Sequence, residues 1–290
     1  MRILCELFGV KRQAYYQKMN TIEKRLNEEE IVLELVIKYR SRVPSLGGKK
    51  LHYLLKQESS FQSLFIGRDR LFAILRKHDM LIRKKKKHRV KTTNSNHWMK
   101  KYPNLIKDLE VTYANQVWVS DITYIKAGNN ANYLFLVTDV YSSKIMGYCL
   151  GTNMTAEVGV QALNMAISNR LDTSKELIHH SDRGSQYCSY KYTSLLKSEN
   201  ILISMTENGD PYENPKAERV NGILKEEFEI RRYTSHLKAS TEIAKAIEAY
   251  NNFRPHLSCD YLTPEQAHHH KGKLKKQWKN YYRERMTLKE

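Results

Sequence analysis

Strand-like segments follow one another in this chain at a spacing that leaves few ways to pair them. Residues 116–126, then YLFLVTDVY (133–141), then KIMGYCL (144–150) each read as a β-strand. Only Ser142–Ser143 separate the last two, so that pair must be antiparallel. The pattern then changes. A helix at 155–170, with Val158, Ala162 and Met165 on one face, leads to the strand LIHHSD (177–182). A helix near 190–199 leads to the strand ILISMT (201–206), and helices around Glu218 and near 240–252 follow. A strand reached through a helix can pair in parallel. Three antiparallel strands followed by helix–strand alternation predict an α/β domain over 114–268, a mixed five-stranded sheet with flanking helices.

The first third is helical. In EEEIVLELVIKYRS (28–41), Ile31, Leu35 and Tyr39 recur at i, i+4 and i+8. Glutamates at its start and Lys38, Arg40 and Arg42 at its end suit the helix dipole, and Pro44 and Gly47–Gly48 end it. KKLHYLLKQ (49–57) and GRDRLFAILRKHDM (67–80) follow; the latter turns Leu71, Ile74 and Leu75 inward and Arg68, Arg70, Arg76 and Lys77 outward. Three short helices with a basic third predict a small all-α helix-turn-helix DNA-binding domain at 28–82. ILCELFGVKRQAYYQKM (3–19), with Gly9 as its turn, reads as a partial helix-turn-helix remnant within 1–20. RKKKKHRVK (83–91), containing Lys84, Lys85, Lys86 and Lys87, opens a basic linker over 83–113 that would touch phosphates without reading bases. The triple His268–His270 reads as a solvated tail, with adventitious metal binding as the alternative, and KGKLKKQWKNYYRERM (271–286) as a DNA-touching or disordered extension, within a basic tail at 269–290.

Charge separates the two halves. Residues 1–113 carry 26 Lys+Arg against 11 Asp+Glu, whereas 114–290 carry 23 against 20. The front therefore suits a polyanion, with nucleic acid the expected partner, and the acids of the back need another explanation. The four cysteines are far apart with no CxxC pair, which argues against a zinc site and for a reducing compartment. No apolar run approaches the ~18 residues of a membrane span. The expected location is cytoplasmic, associated with the nucleoid when bound.

Three acids in the back half stand out. Asp121 lies in WVSDITYI, where alternation puts it on one face with Val117, Val119, Thr123 and Ile125. An aspartate inside a strand is costly unless paired or bound to a metal. Asp182, in HHSDRGSQY, ends a strand, which is where α/β sheets bind ligands. Glu218 sits near the start of a helix with Asn214 as candidate cap, Pro215 at its first position, and a buried stripe of Ala217, Val220, Leu224 and Phe228. Each acid alone has a structural reading: a backbone-satisfied strand Asp, a turn Asp, a solvated Glu. Together, three carboxylates beside a phosphate suit two hard divalent cations, Mg²⁺ or Mn²⁺, in an in-line displacement.

WVSDITYI, DVYSSKIMGY, HHSDRGSQYCS, ENGDPYENPKAERVNGILKEEF and YNNFRPHLSCDYLTP occur in that order, with 35 residues between Asp182 and Glu218. These motifs resemble the transposases of bacterial insertion sequences, above all the second-frame product of the IS3 family with its DDE integrase-like catalytic core. The resemblance implies an RNase H-like fold, which the order of elements also matches. It implies that Asp121, Asp182 and Glu218 are the catalytic, metal-binding triad. Arg183, Lys216 and Lys225, with His180, Gln186, Tyr187, Tyr212 and Asn214, would lie along the DNA. Asp139 reads as structural or a weak accessory, and the motif from Tyr250 to His256 as core packing. Pro215 departs from the small residue usual in the family.

The activity implied is recognition of terminal inverted repeats, metal-dependent strand cleavage, and transfer of the released 3′-OH to target DNA. A homo-multimer on DNA and a DNA-binding segment from an upstream frame would be partners. Two other readings stay open. One is a catalytically silent DNA-binding regulator derived from a transposase, working through residues 1–92, which the incomplete first helix-turn-helix favours. The other is an RNase H-like nuclease of RNA–DNA hybrids, which shares the carboxylate chemistry.

Overall fold

No glycine or proline interrupts residues 12–40, and in the computed structural model they form one helix. The structure describes residues 2–82, 97–170, 172–207, 213–275 and 277. The chain divides into two units, 1–84 and 85–290. In the first, α1 (Arg2–Leu7) turns at Gly9, whose φ is +63°, into α2 (Arg12–Arg40). The segments read separately as a remnant at 1–20 and a helix at 28–41 are thus joined, because nothing in 17–27 stops a helix. Only the C-terminal part of α2 is buried, at Val32 and Val36. There it shares a core with α3 (Gly48–Leu55), α4 (Ser59–Gln62) and α5 (Arg68–Lys77), through Leu51, Leu55, Phe61, Leu71, Ile74 and Leu75.

The second unit is built on a mixed sheet. β1 (Val117–Ala127), β2 (Asn130–Asp139) and β3 (Ile145–Gly151) form an antiparallel meander. α6 (Ala156–Ser168) leads to β4 (Ile178–Ser181), parallel to β1; α7 (Ser185–Cys188) and α8 (Tyr190–Ser198) lead to β5 (Leu202–Met205), parallel to β4. The spatial order β3-β2-β1-β4-β5 is the RNase H-like arrangement. α9 (Pro215–Glu227) follows, then β6 (Arg232–Tyr233), a sixth strand of two residues beside the end of β1, too short to show as alternation. α10 (His236–Asn252), a 3-10 turn at Leu257–Cys259 and α11 (Pro264–His269) complete the described elements.

The sheet buries both faces, and β1 shows why it must. Trp118 joins Phe135, Val137 and Met146 against Ala162, Leu163 and Ala166 of α6 and Tyr192 and Leu196 of α8. Gly147 permits that contact: a Cβ there would stand 2.1 Å from the Ala162 carbonyl oxygen. On the opposite face, Val117, Val119 and Ile178 receive Ala217 of α9. No described helix is long and apolar enough to cross a membrane.

Two segments depart from expectation. Residues 97–113, read as linker, pack on the second unit: Met99 and Tyr102 join its core, Met205 N donates to Pro103 O at 3.2 Å, and Leu105 N donates to Ser204 Oγ at 2.9 Å. β5 ends the sheet, and an edge strand with unpaired backbone groups gains from such a cover. His268, read with its neighbours as solvated, is enclosed. Its Nδ1 lies 3.1 Å from Ser142 Oγ and 3.7 Å from Asp139 Oδ1. A capping box of Thr263 and Gln266 starts α11, and burial of Pro264 and Ala267 holds it down. Asp139 is fully buried and accepts from Ser142 N at 2.7 Å and Asn115 N at 2.8 Å. Its partner across the strands is Trp118, so it shares that residue's face and not the face of Asp121. Lys84, Lys85, Lys86, Lys87, Tyr212 and residues 278–290 of the tail lie outside the described residues.

Candidate active site

The sheet register brings two of the three acids together. Val119 of β1 pairs with His180 of β4 in parallel. Asp121 lies two residues beyond Val119 on β1, and Asp182 two residues beyond His180, just past the end of β4, near enough for its charge to act on Asp121. Helix α9 covers the Val119 face through Ala217, and Glu218 is the next residue. One turn on, Asn221 Nδ2 donates to Asp121 Oδ2 at 2.7 Å, while Ile122 N donates to Oδ1 at 2.9 Å. Asn214 Nδ2 donates to Ser120 O at 3.0 Å. Two amides therefore tie α9 to β1, one on each side of Glu218. Asn214 was expected to cap the helix but makes no cap bond; its amide instead satisfies a buried strand carbonyl. Asn221 was not anticipated. Its signal was an asparagine, a poor helix former, three residues beyond Glu218 and next to the apolar stripe. Asp182 is fixed by its own turn, with Gly184 N donating to Oδ1 at 3.0 Å.

The Asp121 carboxyl is pushed up to about 7, by burial first, then by the Asp182 charge, with a smaller push from Glu218; the bonds from Asn221 and Ile122 oppose them. Asp121 keeps some solvent contact, and Glu218 is exposed. Half-buried Lys225, two turns beyond Glu218, is lowered by burial and held up by Asp121, so it lies within electrostatic reach of that carboxylate. Among the described residues, no three His, Cys, Asp or Glu side chains converge as a ready-made metal cage. Asp121 and Asp182 interact more strongly than Asp121 and Glu218. An all-oxygen donor set of this open kind fits a hard cation completed by water and substrate phosphate.

Other expected contacts fall differently. His180 is fully buried, with Nδ1 2.8 Å from Ser204 Oγ, and Tyr187 is buried in the core, so neither lines a DNA surface. Gln186 Nε2 donates to Met154 O at 3.1 Å. Arg183 and Lys216 are half-buried in the site's surroundings. In the first unit the four cations of α5 divide. Arg70 pairs with Glu28 at 2.5 Å and Lys77 with Glu29 at 2.6 Å, both glutamates on α2. Arg68, whose ion pair is with its exposed neighbour Asp69, lines an open groove with Arg76, Lys49 and Phe72.

Two models described as integrase core domain match residues 112–211 and 199–264. An insertion element IS600 uncharacterized 31 kDa protein from Shigella sonnei is 33% identical over 266 residues, 90% of this chain and 96% of that protein. The transposase InsF for insertion sequence IS3A of Escherichia coli (strain K12) is 35% identical over 164 residues, 56% of this chain and 57% of its own length. Among solved structures, the HTLV-2 integrase catalytic core domain in complex with magnesium aligns at a TM-score of 0.44 and 22% identity, covering 54% of this chain and 98% of that one. Fold and family models together define a DDE-type polynucleotidyl transferase with an integrase core. The chain belongs to the IS3 family of insertion-sequence transposases.

Proposed function

We propose that this chain binds the terminal inverted repeats of its element, cleaves a strand at each end, and joins the released 3′-OH to target DNA. The observation that carries this reading is the Asp121 carboxyl on β1, raised to about 7 by burial first, by the charge of Asp182 just past β4 second, and least by Glu218 of α9. Divalent cations, Mg²⁺ or Mn²⁺ and two in number, would be held by these three carboxylates. Bound there, they supply Lewis acidity to the attacking oxygen and charge neutralisation at the leaving oxygen. Asp121 and Asp182 take the shared position between β1 and β4, and Glu218 reaches it from α9. Asn221 and Asn214 hold the helix in register with the strand. Lys225, Lys216 and Arg183 offer positive charge for the phosphates that flank the scissile bond.

The helical unit supplies affinity through Arg68, Arg76 and Lys49, whereas Arg70 and Lys77 chiefly fasten α5 to α2. Action on two ends calls for a homo-multimer, and a DNA-binding segment encoded by an upstream frame would complete end recognition. The test is an end-sequence duplex incubated with the protein and Mg²⁺ or Mn²⁺, with and without that segment. Wild type should nick and join; Asp121→Asn should bind the duplex equally well and lose both steps by more than about a hundredfold. Absence of both products from wild type, even with the segment supplied, would sink the enzymatic reading in favour of a silent regulator.

A further inference from the structure

Asp182 has a tether from outside the sheet. His97 Nε2 lies 2.7 Å from the carbonyl oxygen of Arg183, the residue that follows Asp182. A carbonyl can only accept, so His97 must donate from Nε2, which fixes the tautomer. Its Nδ1 is buried, and among the described residues the imidazole makes no other hydrogen bond.

The histidine belongs to a strap anchored at several points between residues 97 and 105. Met99 and Tyr102 pack on the core. Pro103 O accepts from Met205 N at the end of β5. Leu105 N donates to Ser204 Oγ, which in turn contacts His180 Nδ1 at 2.8 Å, two residues before Asp182. The strap thus holds the Asp182 strand on both sides of the acid: through Ser204 and His180 before it, and through His97 and Arg183 after it. The Asp182 turn also carries short internal ties, Gly184 N to Asp182 Oδ1 at 3.0 Å and Ser181 Oγ to Asp182 O at 3.0 Å, and Thr206 N donates to Ser181 O at 3.1 Å before it. The bond from His97 adds a tie on the far side of the acid, at Arg183 O. A strand-end acid needs such a brace, because an open site with a cation shared between protein and phosphate tolerates little displacement of a ligand.

We propose that His97 is a positioning residue for the Asp182 turn, setting the separation of Asp182 from Asp121. This rests on the reading of those two acids as metal ligands. The effect of His97 passes through the Arg183 carbonyl.

Three variants of the full chain test it: His97→Ala, His97→Gln, whose amide can donate from nearly the position of Nε2, and His97→Leu, which fills space without donating. The first readout is hydrogen–deuterium exchange of peptides covering 181–188, in protein free of DNA and metal. Ala and Leu should raise exchange there and leave the β1–β2 peptides unchanged, and Gln should restore protection. The second is Mn²⁺ binding followed by electron paramagnetic resonance. Affinity should fall about tenfold in Ala and Leu and recover in Gln. Equal exchange in all four proteins overturns the proposal, and so does a Gln variant that behaves like Leu. Loss of protection throughout the second unit in Ala and Leu, unrestored by Gln, would show His97 to be a packing residue and also overturn it. If wild type binds no Mn²⁺ while the exchange pattern is as expected, the metal-ligand reading fails and the positional role of His97 stands.

Discussion

Arg254 offers the sharpest test of how the Glu218 helix is held. It is 2% exposed and forms a two-pronged pair with Glu227, Nε to Oε2 at 2.9 Å and Nη2 to Oε1 at 2.8 Å. Glu227 is the last residue of α9, and Arg254 follows α10, so the pair locks the C-terminal end of α9. Arg254→Ala would break the two-pronged pair of a carboxylate that is only 13% exposed, and would remove a guanidinium centred 5.8 Å from the Tyr250 ring. Removing one partner of a buried pair costs about 3–5 kcal/mol; the slight exposure of Glu227 favours the lower end, about 3 kcal/mol. With a urea slope of about 2 kcal/mol/M, the unfolding midpoint of the second unit should fall by about 1.5 M. Emission from Trp118, fully buried in that unit, reports the transition. The double variant Arg254→Met/Glu227→Leu removes both charges and should recover most of the loss. A midpoint shift below about 0.5 M in Arg254→Ala, or a double variant no better than the single, would refute the claim that this pair holds α9.

Two further outcomes follow from the same structure. Burial first, and the neighbouring His180 second, lower His179 to about 3, while its Nε2 stays bonded to Ser120 Oγ at 2.7 Å and Tyr192 OH at 2.9 Å. The unfolded chain takes up this proton near pH 6.5 and the fold does not, so the contribution is whole above that pH and declines toward pH 3 by about 1.4 kcal/mol per unit; urea midpoints between pH 7 and 4 should show the slope, and His179→Gln should flatten it. In DNA binding, each alanine at Lys49, Arg68 or Arg76 should reduce the salt slope of log K by about one. Arg70→Ala and Lys77→Ala should reduce it less and loosen α2 instead, as fluorescence anisotropy across a salt series would register.

Much of the fold was legible because strand period and connection length are local properties. The alternation around Asp121 assigned its face, the Ser142–Ser143 turn made β2 and β3 antiparallel, and the helices before β4 and β5 allowed them to be parallel. The length of α2 was misread because a polar stretch at 17–27 looks like a connection, although nothing in it stops a helix. The packed parts of 97–113 and His268 were missed for the opposite reason. Both are polar segments whose burial depends on a distant surface, the β5 edge for one and the Asp139–Ser142 turn for the other.

The sequence by itself determined the three acids, the order of strands and helices that carries them, and the division into a strongly basic front and a nearly balanced back. Those follow from residue type and spacing along the chain. Only the tertiary structure decided which side chains hold the acids in place: Asn221 on Asp121, Asn214 on the strand beside it, His97 on the turn after Asp182, and Arg254 on the far end of α9. It also decided which cations of α5 are paired with α2. Each of these is a contact between residues tens of positions apart, and a hydrogen bond or ion pair of about 3 Å depends on where folding brings two groups, a quantity that no local pattern encodes.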